Sequence, residues 1–136
     1  MDRNYILVVD DELNTLNSLE FILEAAGYEV ALATNCQEAL LILIAASDTN
    51  HPVELLILDV EMPGLTSIEF VKELTRLNIS IPIFLISGYG HNEQISELLK
   101  LGCIAYFQKP FDEKALLLLI DDFFRKQRNE KIPIHR

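Results

Sequence analysis

The chain has 136 residues, half of them hydrophobic and 24% charged, with a formal net charge of −10. This fits one globular domain with an ample core. The acidic surplus argues against generic nucleic-acid binding, which depends on Lys and Arg neutralising phosphates, and the longest apolar stretch, Ala39 to Ala46, is far too short to span a bilayer. Cys36 and Cys103 form no CxxC pair and are too few for a disulfide framework, so both read as buried free thiols. The Met-Asp-Arg start lacks the apolar region of a signal peptide, which makes a reducing, cytoplasmic setting the expectation.

Short β-like runs alternate with longer helix-like segments. The first strand is expected over about Tyr5 to Val9. A helix follows from near Glu12, with Leu16, Leu19, Ile22, Leu23 and Ala26 at helical spacing and Gly27 as its stop. A second strand is expected over about Tyr28 to Ala33. Thr34 or Asn35 caps the next helix, which runs to about Ala46 and leads into a polar loop, Ser47 to Pro52. The third strand covers about Glu54 to Leu58, followed by a loop holding Met62-Pro63-Gly64. The third helix begins near Thr66 or Ser67 and ends near Asn78. After Pro82 comes the fourth strand, then the turn Ser87-Gly88-Tyr89-Gly90. The fourth helix spans about Asn92 to Leu101 and stops at Gly102. The fifth strand is about Ile104 to Phe107. Asp112 caps the fifth helix, which continues to about Arg128. The expected domain is residues 1–128, with 129–136 as a tail or the start of a linker; that tail holds Pro133.

Alternating strands and helices predict an α/β domain with a doubly wound, five-stranded parallel sheet and five helices. The strands are apolar throughout, as helices covering both faces require. A flavodoxin-like strand order, 2-1-3-4-5, sets strands one, three and four side by side. Their carboxyl ends then share the crevice where such sheets bind ligands.

The residues at those ends carry the chemistry. Asp10-Asp11 follows the first strand, Asp59 the third, Ser87-Gly88 the fourth, and Lys109-Pro110 the fifth. Two adjacent acids repel each other unless a cation offsets the charge, and Mg²⁺ prefers hard oxygen ligands. A carboxylate such as Asp59 can attack a phosphoryl group and form an acyl phosphate, with the metal neutralising the phosphoryl oxygens. Ser87 offers a hydroxyl donor and Lys109 a compact positive charge. Each residue alone also has an ordinary explanation: a helix cap, a loop aspartate, a turn serine, a surface lysine. The joint order, each member at a strand end, is far more specific.

These residues, with Val8-Val9-Asp10-Asp11-Glu12, Leu58-Asp59-Val60-Glu61-Met62-Pro63-Gly64, Ile86-Ser87-Gly88-Tyr89-Gly90 and Tyr106-Phe107-Gln108-Lys109-Pro110-Phe111, make the chain resemble the receiver domain of two-component response regulators. The likeness covers about residues 4 to 127. It implies a phosphorylation-dependent signalling switch, not an enzyme acting on other substrates. Asp59 would accept the phosphoryl group from a sensor histidine kinase or phosphotransfer protein. Asp11 and Asp59 would bind Mg²⁺ directly, Asp10 through water, and Glu61 through its backbone carbonyl. Ser87 and Lys109 would hold the phosphoryl oxygens, and the Lys109-Pro110 bond would be cis. Tyr106 would be the aromatic switch, turning inward as Ser87 moves, so that the face built from helix four, strand five and helix five changes its partner preference. Glu61 and Tyr89 would tune how fast water reaches the acyl phosphate. The family often has an acidic residue and then glycine where this chain has Thr66 and Ser67; Thr66 can still cap the third helix.

Two alternatives belong to other classes: an aspartyl-phosphate-forming phosphatase and a phosphate-independent interaction domain. Asp59-Val60-Glu61 fits the phosphatase pattern only in part, and the acidic pair comes early for it. Helix two is apolar nearly all round, and helix five carries Leu116 to Ile120 and Phe123-Phe124. A helix on one sheet face needs a single apolar stripe. Plain core packing explains such an excess, and so does a dimer or partner surface; helix five is expected to contribute to self-association or output docking. The cognate kinase, the pathway and the acyl phosphate lifetime are not encoded in any readable motif.

Overall fold

Along the first strand, Ile6 and Val8 face one way and Leu7 and Val9 the other, and all four are fully buried. Side chains alternate across a strand, so a run without polar residues needs cover on both faces. The computed structural model supplies it; it describes residues 3–62, 66–88 and 90–131. The elements are β1 (Tyr5–Val9), α1 (Leu13–Ala25), β2 (Glu29–Ala33), α2 (Cys36–Ser47), β3 (Leu55–Asp59), α3 (Ser67–Arg76), β4 (Ile83–Ser87), α4 (Asn92–Lys100), β5 (Ala105–Gln108) and α5 (Glu113–Lys131). All pairings are parallel, in the order β2-β1-β3-β4-β5. The expected doubly wound sheet is therefore the observed one.

Two cores result. Leu7, Val9, Leu56, Leu58 and Leu85 pack with Ala39 and Leu43 of α2, Phe70 and Leu74 of α3, and Ile95 and Leu98 of α4. On the opposite face, Ile6, Val8, Ile57, Phe84 and Ile86 meet Leu16, Leu19 and Leu23 of α1 and Leu116, Ile120 and Phe124 of α5. The spacing of each helical set keeps it on one stripe. Both thiols are free and buried, and burial pushes Cys36 and Cys103 up to about 11. Among the described residues, no helix is long and apolar enough to cross a membrane.

Local signals set most boundaries. Asn35 caps α2 by accepting from the Glu38 N–H at 2.8 Å. Thr66 and Glu69 form a reciprocal capping box at the start of α3, and Asp112 Oδ1 accepts from the Lys114 N–H at 3.0 Å at the start of α5. Gly27 and Gly102 have φ of +99° and +112°, a left-handed backbone that glycine adopts without strain.

Several expected ends shift. β2 begins one residue late, at Glu29, and β3 and β5 each slip one residue toward their carboxyl ends. Glu54 stays outside β3, its carboxylate accepting from Asn4 Nδ2 at 3.2 Å and the Tyr5 N–H at 3.1 Å. α3 stops at Arg76, because Asn78 takes φ of +60°. Ala26, expected on the apolar stripe of α1, is its exposed C-cap. α5 continues to Lys131, past its expected end at Arg128, so the first residues assigned to the tail are helical. The remainder of that tail, with Pro133, lies outside the described residues, as do Pro63, Gly64 and Tyr89.

Candidate functional site

The parallel register brings the strand ends into one crevice. Val9 of β1 pairs with Leu58 of β3, Asp59 with Ile86 of β4, and Ser87 with Gln108 of β5. Asp10 therefore follows β1 beside Asp59, and Lys109 follows β5 beside Ser87. The Lys109 N–H donates to the Ser87 carbonyl at 2.7 Å, and the Lys109-Pro110 peptide is cis, as the resemblance implied.

Asp10 is fully buried and Asp59 is 2% exposed, while Asp11 is exposed. Carboxylate oxygens of these three residues lie within 4.8 Å of one another. Neither Asp10 nor Asp11 caps α1; its N-cap is Glu12, which makes no capping bond. Instead Asp10 Oδ1 accepts from the Glu12 N–H at 2.9 Å, and Asp59 Oδ1 accepts from the Glu61 N–H at 3.1 Å. Asp10 Oδ2 is buried and accepts no directional hydrogen bond among the described residues. The Lys109 ammonium pairs with it at 2.7 Å.

Lys109 is the positive counterweight. Its Nζ also lies 2.7 Å from Glu12 Oε1 and 3.5 Å from Asp59 Oδ2. Burial lowers its pKa, but contacts with Asp10, Glu12 and Asp59 outweigh burial and hold the ammonium above its ordinary value. Burial pushes the Asp59 carboxyl up, and the neighbouring Asp10 carboxylate adds to the rise, against the Glu61 N–H and Lys109. Four carboxylates thus face one ammonium in this notch. An excess of hard oxygen donors over positive charge fits a divalent cation such as Mg²⁺.

The notch opens into a cleft of about 610 Å³ lined by Asp11, Asp59, Glu61, Thr66, His91 and Lys109, among others. Ser87 is fully buried and does not line it; its hydroxyl donates to the Gly88 carbonyl at 3.1 Å. Tyr106 lies apart from the notch, half-buried on β5 opposite Leu85 and packed on the core beneath α3 and α4. The structure thus gathers Asp10, Asp11 and Asp59 within 4.8 Å of one another, pairs Lys109 with Asp10 and Asp59, buries Ser87 behind them, and leaves Tyr106 on the flank.

Two partners escaped the sequence reading. Glu12 pairs with Lys109, and its position directly after the acidic pair was a usable signal. His91 places Nε2 3.1 Å from Glu61 Oε2. Nothing in its local sequence marks it, because the pairing depends on where α4 begins in space.

A family model described as the response regulator receiver domain matches residues 6–121. The chain belongs to that family, whose members are signalling switches in two-component systems. It is 32% identical over 124 residues to the transcriptional regulatory protein FixJ of Bradyrhizobium diazoefficiens, covering 91% of this chain and 58% of that protein. It is 32% identical over 129 residues to the transcriptional regulatory protein ZraR of Klebsiella oxytoca, covering 95% of this chain and 28% of that protein. The chain therefore spans only part of the length of these curated relatives. Its fold is similar to a CheY-like receiver domain protein from Methanospirillum hungatei JF-1, with a TM-score of 0.82 at 29% identity, covering 95% of this chain and 99% of that one.

Proposed function

We propose that this chain takes a phosphoryl group on Asp59 from a phosphohistidine of a sensor histidine kinase or phosphotransfer protein, in the cytoplasm. The observation that carries this reading is a buried Asp59 set against Lys109 at 3.5 Å and grouped with Asp10 and Asp11. Asp59 attacks phosphorus through a carboxylate oxygen, the bond from phosphorus to the donor nitrogen breaks, and an acyl phosphate remains. Asp10, Asp11, Asp59 and the Glu61 backbone carbonyl would hold Mg²⁺. When bound, the ion supplies charge neutralisation for the phosphoryl oxygens. Lys109 pairs with one phosphoryl oxygen. Ser87 turns its hydroxyl from the Gly88 carbonyl toward another.

That turn is what couples the site to a surface. Ser87 and Tyr106 lie on adjacent strands, with Tyr106 paired to Leu85, two residues before Ser87. Space freed behind Ser87 lets the Tyr106 ring move inward, which biases a two-state equilibrium. Beside β5, Ile104 and, from α5, Leu119 line one shallow apolar groove, and Leu99 of α4 is also exposed. This apolar area suits a partner whose affinity changes with the switch. The switch domain in this reading takes in residues 1–128, and α5 carries its last helix on to Lys131.

The test is mass spectrometry after acetyl phosphate and Mg²⁺. Wild type gains one phosphoryl group and Asp59→Asn gains none. An equal gain in both removes Asp59 as acceptor. Steady turnover of a phosphomonoester points to a phosphatase instead, and no label at all points to a phosphate-independent interaction domain.

A further inference from the structure

A bridge at the mouth of the Asp59 cleft has no part in the chemistry above. His91, the N-cap residue of α4, sets its Nε2 3.1 Å from Glu61 Oε2, on the segment after β3. Both residues line the cleft with Asp59 and Lys109. The imidazole is 24% exposed and the Glu61 side chain 62%, so the histidine is the anchored end. Glu61 is held at its backbone as well, because its N–H donates to Asp59 Oδ1 at 3.1 Å. A Cβ built on Gly88 would meet Glu61 Oε2 at 3.5 Å, which sets the carboxylate directly over the segment that follows Ser87. One residue thus links the phosphoacceptor, the β4–α4 connection and the start of α4.

We infer that His91 is a positioning residue for phosphoryl transfer. It holds the Glu61 carboxylate at the rim, keeps a free negative charge out of the path of an anionic phosphodonor, and steadies the Glu61 backbone beside Asp59. The inference rests on Asp59 being the phosphoacceptor. The cleft already gathers Asp10, Asp11, Glu12 and Asp59 around one ammonium, so a loose carboxylate at its mouth adds repulsion where the donor arrives. A neutral imidazole with its proton on Nε2 donates a hydrogen bond to that carboxylate, and a protonated one also offsets its charge.

The experiment measures labelling rates of the whole chain with acetyl phosphate and Mg²⁺ by intact-mass spectrometry. It compares wild type, His91→Ala, Glu61→Gln and the double variant. His91→Ala is expected to slow labelling by roughly two- to fivefold, the scale of a partly exposed ion pair. The double variant is expected to label at the rate of Glu61→Gln alone, because no carboxylate then remains to be held. His91→Gln, which keeps an N–H donor, is expected to regain most of the rate, a rescue that a folding defect does not give. An unchanged rate in His91→Ala overturns the inference, and so does an equal slowing by His91→Ala in the Glu61→Gln background. A wild-type chain that takes no label on Asp59 overturns the phosphoacceptor reading itself, and the inference falls with it.

Discussion

The Lys109 ammonium sits closer to Asp10 than to Asp59, at 2.7 Å against 3.5 Å. It also holds Glu12 at 2.7 Å. Lys109 thus neutralises Asp10 and Glu12 more than Asp59, the proposed phosphoacceptor. Contact with a phosphoryl group on Asp59 then requires the ammonium to leave part of that pairing. Its N–H bond to the Ser87 carbonyl, at 2.7 Å, ties the Lys109 backbone to β4 while the side chain is free to turn.

Removing the ammonium should therefore affect transfer strongly. Lys109→Ala is expected to label with acetyl phosphate about 10- to 100-fold more slowly, the rate equivalent of one charge-assisted hydrogen bond. A Lys109→Ala rate equal to wild type, at saturating Mg²⁺, would remove this residue from the transfer step.

The acidic cluster makes a separate prediction about metal. Mg²⁺ is expected to raise the melting temperature of EDTA-treated protein in a concentration-dependent way, because it binds the folded site alone. Asp11→Asn should lose most of that rise. Asp11 is exposed, so the substitution is expected to leave the metal-free melting temperature near wild type. An identical Mg²⁺ response in wild type and Asp11→Asn would contradict the assigned ligand set.

Asp59 also shapes stability against pH. Burial raises its carboxyl above the ordinary value. Between the unfolded and folded values the folded chain binds more protons than the unfolded one, so stability falls as pH rises through that window. The contribution is full below about pH 4 and is lost toward the raised value. Urea midpoints measured in EDTA should decline over this range for wild type and decline less for Asp59→Asn. Parallel slopes in the two proteins would show that Asp59 is not the group responsible.

The apolar excess of α5 resolves into two sets. Leu116 and Ile120 are fully buried and Leu117 packs partly on the same core, whereas Leu118 is 70% exposed. Leu118→Glu is thus a clean probe of association, while Leu117→Glu also disturbs packing. If α5 serves self-association, gel filtration should show Leu118→Glu shifted toward smaller species with its melting temperature nearly unchanged. A wild-type elution profile would count against self-association through α5.

Much of the fold was legible because its signals are local. Tyr5 to Val9 and Leu55 to Leu58 are unbroken apolar runs, which only a sheet covered on both faces can bury. Gly27, Asn35, Thr66, Gly102 and Asp112 mark helix ends through their own backbone or side-chain chemistry. The site residues were legible for a topological reason: parallel strands end on one edge, so residues that follow them meet there.

Other features needed the third dimension. The Lys109–Glu12 and His91–Glu61 pairs join separate elements, and their geometry depends on helix placement that no local pattern encodes. Ser87 was expected at the cleft, yet its hydroxyl turns to the Gly88 carbonyl. In α2, Leu43 is buried while Leu41 is 70% exposed, although both stand in the same apolar run. Amino-acid order alone determined the element sequence, the two-faced sheet and the set of acids, hydroxyl and lysine at its edge. Tertiary packing decided which charges touch and which leucines face water, because helix rotation and side-chain direction follow from the summed contacts of the whole core.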